Sequence, residues 1–277
     1  MKSLYDVPAP AKLNLFLHIV GRRADGYHLL ESVFMLIDWC DTLHFELRTD
    51  GQLSREDLGV PLPEDDLVLR AARGLQKQTG TRLGAHIVID KRIPSQAGMG
   101  GGSSDAASTL LALNRLWQLN LGLDALLPLG LALGADVPFF LAGHNAWVSG
   151  VGEQLSAIAL PPAQFLVVKP AEGLATQRIF SHPDLKRDTE PAIISGFAAD
   201  AYGFGRNDLQ SVAQRLCPNI SQALIWLNGL GLDGRMTGSG SAVFARTLHD
   251  MKFQVPPGFQ VKQCHNLPAH PLDGWAT

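Results

Sequence analysis

The first half of the chain contains, in order, an apolar run, a glycine-rich stretch and a run of alanine and leucine. The run 86–89 is β-branched after its histidine, which is typical of a buried strand, and the composition of 105–119 favours a helix. Between them, four of the five residues 98–102 are glycine. Glycine lets the backbone approach a ligand closely, and free N–H groups at a helix N-terminus attract anions. This stretch predicts a phosphate-binding loop; the alternative is a turn that only reverses the chain.

Two common nucleotide motifs do not fit this loop. No Lys-Ser or Lys-Thr pair closes it, as a P-loop requires, and its glycine spacing differs from that of the dinucleotide fingerprint. Ser103 and Ser104, at the predicted helix start, can cap the helix or offer hydroxyls to a phosphate or its metal.

Residues 11–19 alternate between apolar and polar side chains, which predicts a strand. The apolar face carries Leu13, Leu15, Leu17 and Ile19, and the opposite face carries Lys12, Asn14, Phe16 and His18. Such a strand would bury its leucines and present Lys12 and Asn14 side by side. Lys12 is equally consistent with a site lysine and with a solvated lysine on an edge strand.

The remaining pattern predicts alternating short elements. Strands are predicted at 32–37, 42–47, 165–170, 242–245 and 260–263, and helices at 67–77, 124–133, 175–180, 207–216 and 220–230. Polar, glycine- and proline-containing stretches predict loops at 49–63 and 181–191. Leu160-Pro161-Pro162 is the best domain boundary, which divides the chain into 1–159 and 160–277.

Composition narrows the class of protein. The chain is 46% hydrophobic and 18% charged, which supports a packed core, and its net charge of −3 gives no reason to expect nucleic-acid or membrane binding. Three widely separated cysteines suit a reducing compartment, and polar residues interrupt the only apolar run near the N-terminus. We expect a globular cytoplasmic protein.

Two further stretches of the sequence contain residues that could act in catalysis or ligand binding. Asp136 lies between Gly134 and Pro138 in apolar surroundings, where a carboxylate costs free energy unless it is paired or used. The alternative is an aspartate that caps the next turn. Tyr27 and His28 follow a turn and could stack on a planar ligand, although simple packing explains such a pair equally well.

Three stretches together resemble the signatures of the GHMP kinases, the family of galactokinase, homoserine kinase and mevalonate kinase. They are 10–15 (PAKLNL), 94–104 (PSQAGMGGGSS) and 237–241 (TGSGS), and their order and spacing also fit. The resemblance implies an α+β, two-domain GHMP kinase-like fold with the active site in the interdomain cleft. It implies ATP-dependent phosphorylation of an alcohol on a small-molecule substrate, with Mg²⁺ carried on the ATP.

The resemblance also implies roles for residues. Asp136 is expected to be the catalytic base and Lys12 the cation that keeps it ionised. The nucleotide is expected to bind Lys91, Pro94, Ser95, Gln96, Ala97, Gly98, Met99, Gly100, Gly101, Gly102, Ser103 and Ser104, with Ser104 also touching Mg²⁺. The turn 26–28 (GYH) and the run 133–139 (LGADVPF) are similar to a branch of the family with a cytidylyl-linked substrate. Asn14, Tyr27, His28, Thr176 and Phe180 are the residues expected to bind that substrate.

Two positions depart from the family pattern. Met99 replaces the usual leucine, a change that conserves volume, and Asp66 replaces the common asparagine of the adenine wall. A monomer or weak homodimer is expected.

Two other functions compete with this one. A GHMP kinase for another small alcohol is disfavoured by the turn 26–28 and by the surroundings of Asp136. A nucleotide-binding regulator that has lost the chemistry is disfavoured because both Lys12 and Asp136 are present.

Overall fold

A long β-hairpin forms the centre of the first sheet in the computed structural model, which describes residues 2–276. Strands β1 (Ser3–Arg22) and β2 (His28–Arg48) pair antiparallel over almost their whole length. The two predicted strands at 32–37 and 42–47 are therefore parts of one continuous strand. Apolar residues dominate both segments, and the strand continues between them through a register shift at residues 38–39.

The free edge of β2 pairs with two shorter strands. Both β4 (Gly84–Asp90) and β5 (Ala146–Ser149) run antiparallel to it, β6 (Gln154–Ala157) extends the sheet beyond β5, and β3 (Leu53–Leu58) lies parallel to β4. The prediction that 49–63 is only a surface loop is wrong for β3. This edge strand is half exposed and mostly polar, so it lacks the apolar alternation that marks a buried strand.

Helices cover one face of this sheet. They are α1 (Leu67–Thr79), α2 (Gly101–Leu116), α3 (Leu123–Leu133) and α4 (Val137–Ala142). The first three confirm the predicted helices, although α2 begins four residues before the predicted start at Asp105. The glycines at its N-terminus lower intrinsic helix propensity, which moved the predicted start too far along the chain.

A four-stranded antiparallel sheet forms the second half of the chain. Its order is β10 (Phe259–His265), β7 (Gln164–Pro170), β9 (Val243–Thr247) and β8 (Arg235–Met236). The helices in this half are α5 (Thr176–Phe180), α6 (Ile194–Ala199), α7 (Gln210–Leu216) and α8 (Pro218–Gly229). The predicted helices and strands are confirmed here, and α6 and the short strand β8 are additional.

Three hydrophobic cores hold these layers together. The first lies between α1–α4 and the six-stranded sheet, the second joins residues of both sheets, and the third packs α7 and α8 against the four-stranded sheet. Residues 266–276 return to the first half, where Leu272 is buried in the first core and the Leu267 N–H donates to the Leu36 carbonyl.

The prediction of one leucine face on β1 is only partly right. Leu13 and Leu15 lie in the core between the sheets, whereas Leu17 and Ile19 belong to the core around α7 and α8. A register shift between Asn14 and Leu17 interrupts the alternation. The strand therefore contributes to two cores.

Within residues 2–276, no helix is both long enough and apolar enough to cross a membrane.

Candidate active site

A cavity of about 730 Å³ lies where the glycine-rich loop of the first half meets α5 and the 238–240 turn of the second half. Its volume is in the range of small-molecule sites. Of the predicted site residues, the lining includes Lys12, Asn14, Lys91, the stretch from Pro94 to Ser103, Asp136, Thr176 and Phe180. Tyr27, His28 and Ser104 are not part of the lining.

Lys12 and Asp136 face each other in this cavity. The Lys12 Nζ lies 3.6 Å from Asp136 Oδ2, and the lysine side chain is almost fully buried whereas the aspartate side chain is 32% exposed. Burial lowers the pKa of the Lys12 ammonium below its ordinary value, and the Asp136 carboxylate opposes that shift. Asp136 directly precedes α4 but makes no side-chain capping bond, so its carboxylate is free to accept a proton from a ligand.

The Lys12 ammonium is oriented by two further groups. It donates to Asn14 Oδ1 and lies 4.2 Å from the centre of the Phe34 ring. The Asn14 amide is fixed in turn, because its Nδ2 donates to Ser32 Oγ at 2.9 Å. Lys12 and Asn14 therefore lie side by side, as the alternation predicted, but in a buried site and not on a solvated edge.

The glycine-rich loop 94–104 packs directly against the 237–241 turn. The Ser241 N–H donates to the Gln96 carbonyl, and the Ala242 N–H donates to the Ala97 carbonyl. Gly98 has a φ of +71°, and a Cβ there would lie 2.3 Å from the Thr237 carbonyl oxygen. The first two predicted motifs also meet, because the Lys12 N–H donates to the Met99 carbonyl at 2.9 Å. All three motifs thus form one wall of the cavity.

Residues 94–100 of this loop lead into the N-terminus of α2, and residues 101–104 form its first turn, in a geometry that suits an anion. Gly100, the residue before the helix, adopts a φ of +72°, and a Cβ there would lie 2.9 Å from the Phe140 ring. The N–H groups at the start of a helix have no partner within the helix and favour negative charge. The site can therefore bind a phosphate group beside the Lys12–Asp136 pair.

Lys91 lies in a buried ion cluster. Its ammonium contacts the carboxylates of Asp41 and Asp105, the latter at 2.6 Å. Although burial disfavours its charge, the two carboxylates raise the pKa of Lys91 above its ordinary value. Lys91 lies close to loop 94–104, and its role at the nucleotide stays a prediction; both its carboxylate partners were missed. They lie 50 and 14 residues away in sequence, and no spacing rule connects them.

The two serines at the start of α2 differ in exposure. Ser103 lines the cavity, whereas the Ser104 side chain is buried and its hydroxyl has no hydrogen-bond partner within the described residues. The expected contact of Ser104 with Mg²⁺ stays a prediction.

Helix α5 contributes Thr176 and Phe180 to the cavity lining. Thr176 Oγ1 lies 2.7 Å from Ser239 Oγ, and the Phe180 ring packs against His28 with their centroids 5.1 Å apart. Burial and the nearby Arg187 and Arg22 lower the pKa of His28, so its neutral ring can accept the hydrogen bond that Arg187 donates at 3.0 Å. His28 therefore supports Phe180 from behind the lining.

Tyr27 and Asp66 have different surroundings. Tyr27 is 64% exposed at the tip of the β1–β2 hairpin. Asp66 caps α1 by accepting the Leu69 N–H at 3.0 Å, and it forms an ion pair of 2.6 Å with Arg55. The carboxylate of Asp66, which replaces the asparagine common in the family, thus has partners within the protein.

Metal-binding side chains do not cluster in the part of the chain from 2 to 276. No group of three or more histidine, cysteine, aspartate or glutamate side chains could hold a metal ion there.

Comparison with known proteins places this arrangement in a family. Residues 66–144 match the GHMP kinases N-terminal domain, and residues 190–252 match the GHMP kinases C-terminal region. The crystal structure of homoserine kinase from Cytophaga hutchinsonii has the same fold, with a TM-score of 0.71 at 14% identity over 98% of this chain and 96% of that one. Fold and motifs together define a GHMP kinase.

Proteins with higher sequence identity to this chain show which branch of the GHMP kinases it belongs to. A 4-diphosphocytidyl-2-C-methyl-D-erythritol kinase of Albidiferax ferrireducens is 71% identical over 278 residues, which covers 100% of this chain and 97% of that protein. A crystal structure of 4-(cytidine 5'-diphospho)-2C-methyl-D-erythritol kinase superposes with a TM-score of 0.75 at 36% identity, over 89% of this chain and 90% of that one. The chain belongs to the family of 4-diphosphocytidyl-2-C-methyl-D-erythritol kinases.

Proposed function

We propose that this kinase transfers the γ-phosphoryl group of MgATP to the 2-hydroxyl of 4-diphosphocytidyl-2-C-methyl-D-erythritol, a step of the non-mevalonate route to isoprenoid precursors. The observation that carries the proposal is the Lys12–Asp136 pair, which faces the same cavity as the glycine-rich loop. A proton acceptor, a buried cation and an anion site are the three elements that such a transfer needs.

In the proposed reaction the substrate hydroxyl oxygen attacks the γ-phosphorus. A new O–P bond forms, the bond between the γ-phosphorus and the β,γ-bridging oxygen breaks, and ADP leaves with the electron pair of that bond. Asp136 accepts the proton of the hydroxyl, and the Lys12 ammonium offsets negative charge on the attacking oxygen.

The remaining residues position the two substrates. Backbone N–H groups of loop 94–104 and of the first turn of α2 bind the phosphates of ATP, and Mg²⁺ arrives on that nucleotide. Asn14 orients Lys12, and Phe180 and Thr176 lie at the end of the cavity where the cytidine would bind. Because Phe180 packs on His28, its ring is fixed in place for stacking on a base.

The proposed function is tested by ADP release from purified protein with MgATP and the cytidylyl substrate. Homoserine and mevalonate serve as control alcohols. Turnover with the cytidylyl compound alone is the expected result. Turnover with a control alcohol instead would keep the kinase chemistry but contradict the cytidine site. ATP binding without turnover of any alcohol would favour a regulator that has lost its chemistry.

A further inference from the structure

A buried lysine outside the cavity holds the segment that leads to the substrate end. Lys169, near the end of β7, is only 5% exposed. Its ammonium donates to the Pro170 carbonyl at 2.6 Å and to the Glu172 carbonyl at 3.0 Å. These contacts lie at the start of the connecting segment 171–175, which joins β7 to α5.

The charge of Lys169 is not neutralised by a neighbouring carboxylate. Among the described residues, no carboxylate oxygen of an aspartate or glutamate lies within 4 Å of the Lys169 Nζ. Burial lowers its pKa, as expected for an ammonium whose desolvation is incompletely offset. Burying a charge without a counter-ion costs free energy. The two carbonyl dipoles that accept from Lys169 offset part of that cost.

The connecting segment is held from two further sides. Ser241 Oγ donates to the same Glu172 carbonyl at 2.6 Å, so this oxygen accepts from both Lys169 and the 237–241 turn. On the other side, Gly173 lies against the Gln96 side chain, and a Cβ on Gly173 would lie 2.1 Å from Gln96 Oε1. The segment therefore fits between loop 94–104 and the 237–241 turn.

The position of this segment determines where α5 begins. Leu174 and Ala175 at its end and Thr176 at the start of α5 line the cavity, and Phe180 follows one turn later. We infer that Lys169 is a positioning residue for the second substrate: its ammonium gathers the carbonyls of Pro170 and Glu172 and thereby places Thr176 and Phe180. This inference rests on the proposed function, because it assigns α5 to the cytidylyl end.

The nucleotide side should be insensitive to Lys169. Loop 94–104 is held to the second half by backbone bonds from Ser241 and Ala242 to Gln96 and Ala97, none of which involves Lys169. Loss of the ammonium should therefore affect one substrate and spare the other. A general structural defect would change both.

Lys169→Met tests the inference, since it keeps the length of the apolar stem and removes the charge and the donors. The measurements are KM for each substrate, kcat, and the calorimetric Kd of the cytidylyl substrate. KM and Kd for that substrate should rise about tenfold or more, as loss of hydrogen bonds from a charged group predicts, while KM for MgATP stays unchanged. Lys252→Met is the matched control because Lys252 is exposed, and it should alter none of these values.

Each of the other outcomes would overturn either the inference about Lys169 or the proposed function. An unchanged KM for the cytidylyl substrate, or an equal rise for both substrates, would overturn the inference. If Lys169→Met does not fold, Ser241→Ala removes the other donor to the Glu172 carbonyl and must give the same selective rise. An inactive unsubstituted protein that also fails to bind the cytidylyl compound would overturn the proposed function, and the inference with it.

Discussion

Lys12 Nζ lies 3.6 Å from Asp136 Oδ2, although 124 residues separate the two in sequence. One partner is buried on the central hairpin and the other is a third exposed at the start of α4. The exposed partner is open to a ligand, and the buried ammonium lies beside it. This is the arrangement that the proposed proton transfer from a bound hydroxyl requires.

Asp136→Asn removes the proposed base and keeps its shape. We expect kcat to fall by about 10²–10⁴-fold, as for loss of a general base, with the Kd of MgATP nearly unchanged. Rapid-quench kinetics for turnover and titration for nucleotide binding measure the two quantities. Equal losses of binding and rate would show that Asp136 is structural.

Lys12 should give the activity an alkaline limit. Burial lowers its pKa below 10.5, and the proposed reaction uses the charged form. The value of kcat should therefore begin to decline at a pH below 10.5. The residual activity of Lys12→Met should lack this decline. A parallel decline in both proteins would assign the titration to another group.

Gly98→Ala tests the close approach of loop 94–104 to the 237–241 turn. The new Cβ would lie 2.3 Å from the Thr237 carbonyl oxygen at a φ of +71°. We expect a loss of about 1–3 kcal/mol in stability and a higher KM for MgATP. Gly122→Ala is the control, since its φ is −72° and no atom lies within 4 Å of the added carbon. Similar melting temperatures for the two variants would contradict the packing argument.

Phe180 and Tyr27 differ in position and should differ in effect. Phe180 lines the cavity and Tyr27 is exposed, so Phe180→Ala should raise KM for the cytidylyl substrate about tenfold and Tyr27→Ala should raise it less. Neither should change KM for MgATP. An unchanged substrate Kd in both variants would remove the proposal that these rings stack on the base.

His270 should make the fold sensitive to acid. Burial lowers its pKa to about 4, and its Nδ1 accepts the Leu272 N–H at 3.0 Å, so the folded state holds it neutral. In the unfolded chain His270 becomes protonated as the pH falls below 6.5, whereas in the folded chain it becomes protonated only near pH 4. Stability contributed by His270 is thus complete above pH 6.5, and about 3 kcal/mol is lost as the pH falls to 4.

Denaturant unfolding of His270→Asn at pH 7 and pH 4.5 measures this contribution. The difference between the two pH values should be smaller than in the unsubstituted protein, because asparagine accepts the same N–H without titrating. His249→Asn, at an exposed position, should leave the difference unchanged. An equal pH dependence in all three proteins would exclude His270 as the source.

Local sequence patterns predicted the elements that carry the site. Loop 94–104 and helix α2 were visible because glycines, serines and a run of alanine and leucine follow one another closely. The alternation at 11–19 correctly placed Lys12 beside Asn14. Each of these inferences depends on neighbours within a few residues.

Features that depend on distant neighbours could not be predicted in this way. Leu15 and Leu17 lie in different cores because of a register shift between them, and that shift arises from the pairing of β1 with β2. The same is true of Asp41, which contacts Lys91 across the sheet, and of Lys169, whose only visible sequence signal is a lysine at the end of an apolar strand.

Residues 266–276 have a consequence for how the protein is made. They are translated after every strand of both sheets, yet the Asn145 amide donates to the Leu267 carbonyl and Leu272 is buried in the first core. The first half can form its sheet as it leaves the ribosome, but its packing stays incomplete until this segment has also emerged. The glycine-rich half is thus translated before the four-stranded sheet, and a segment translated after that sheet completes its packing.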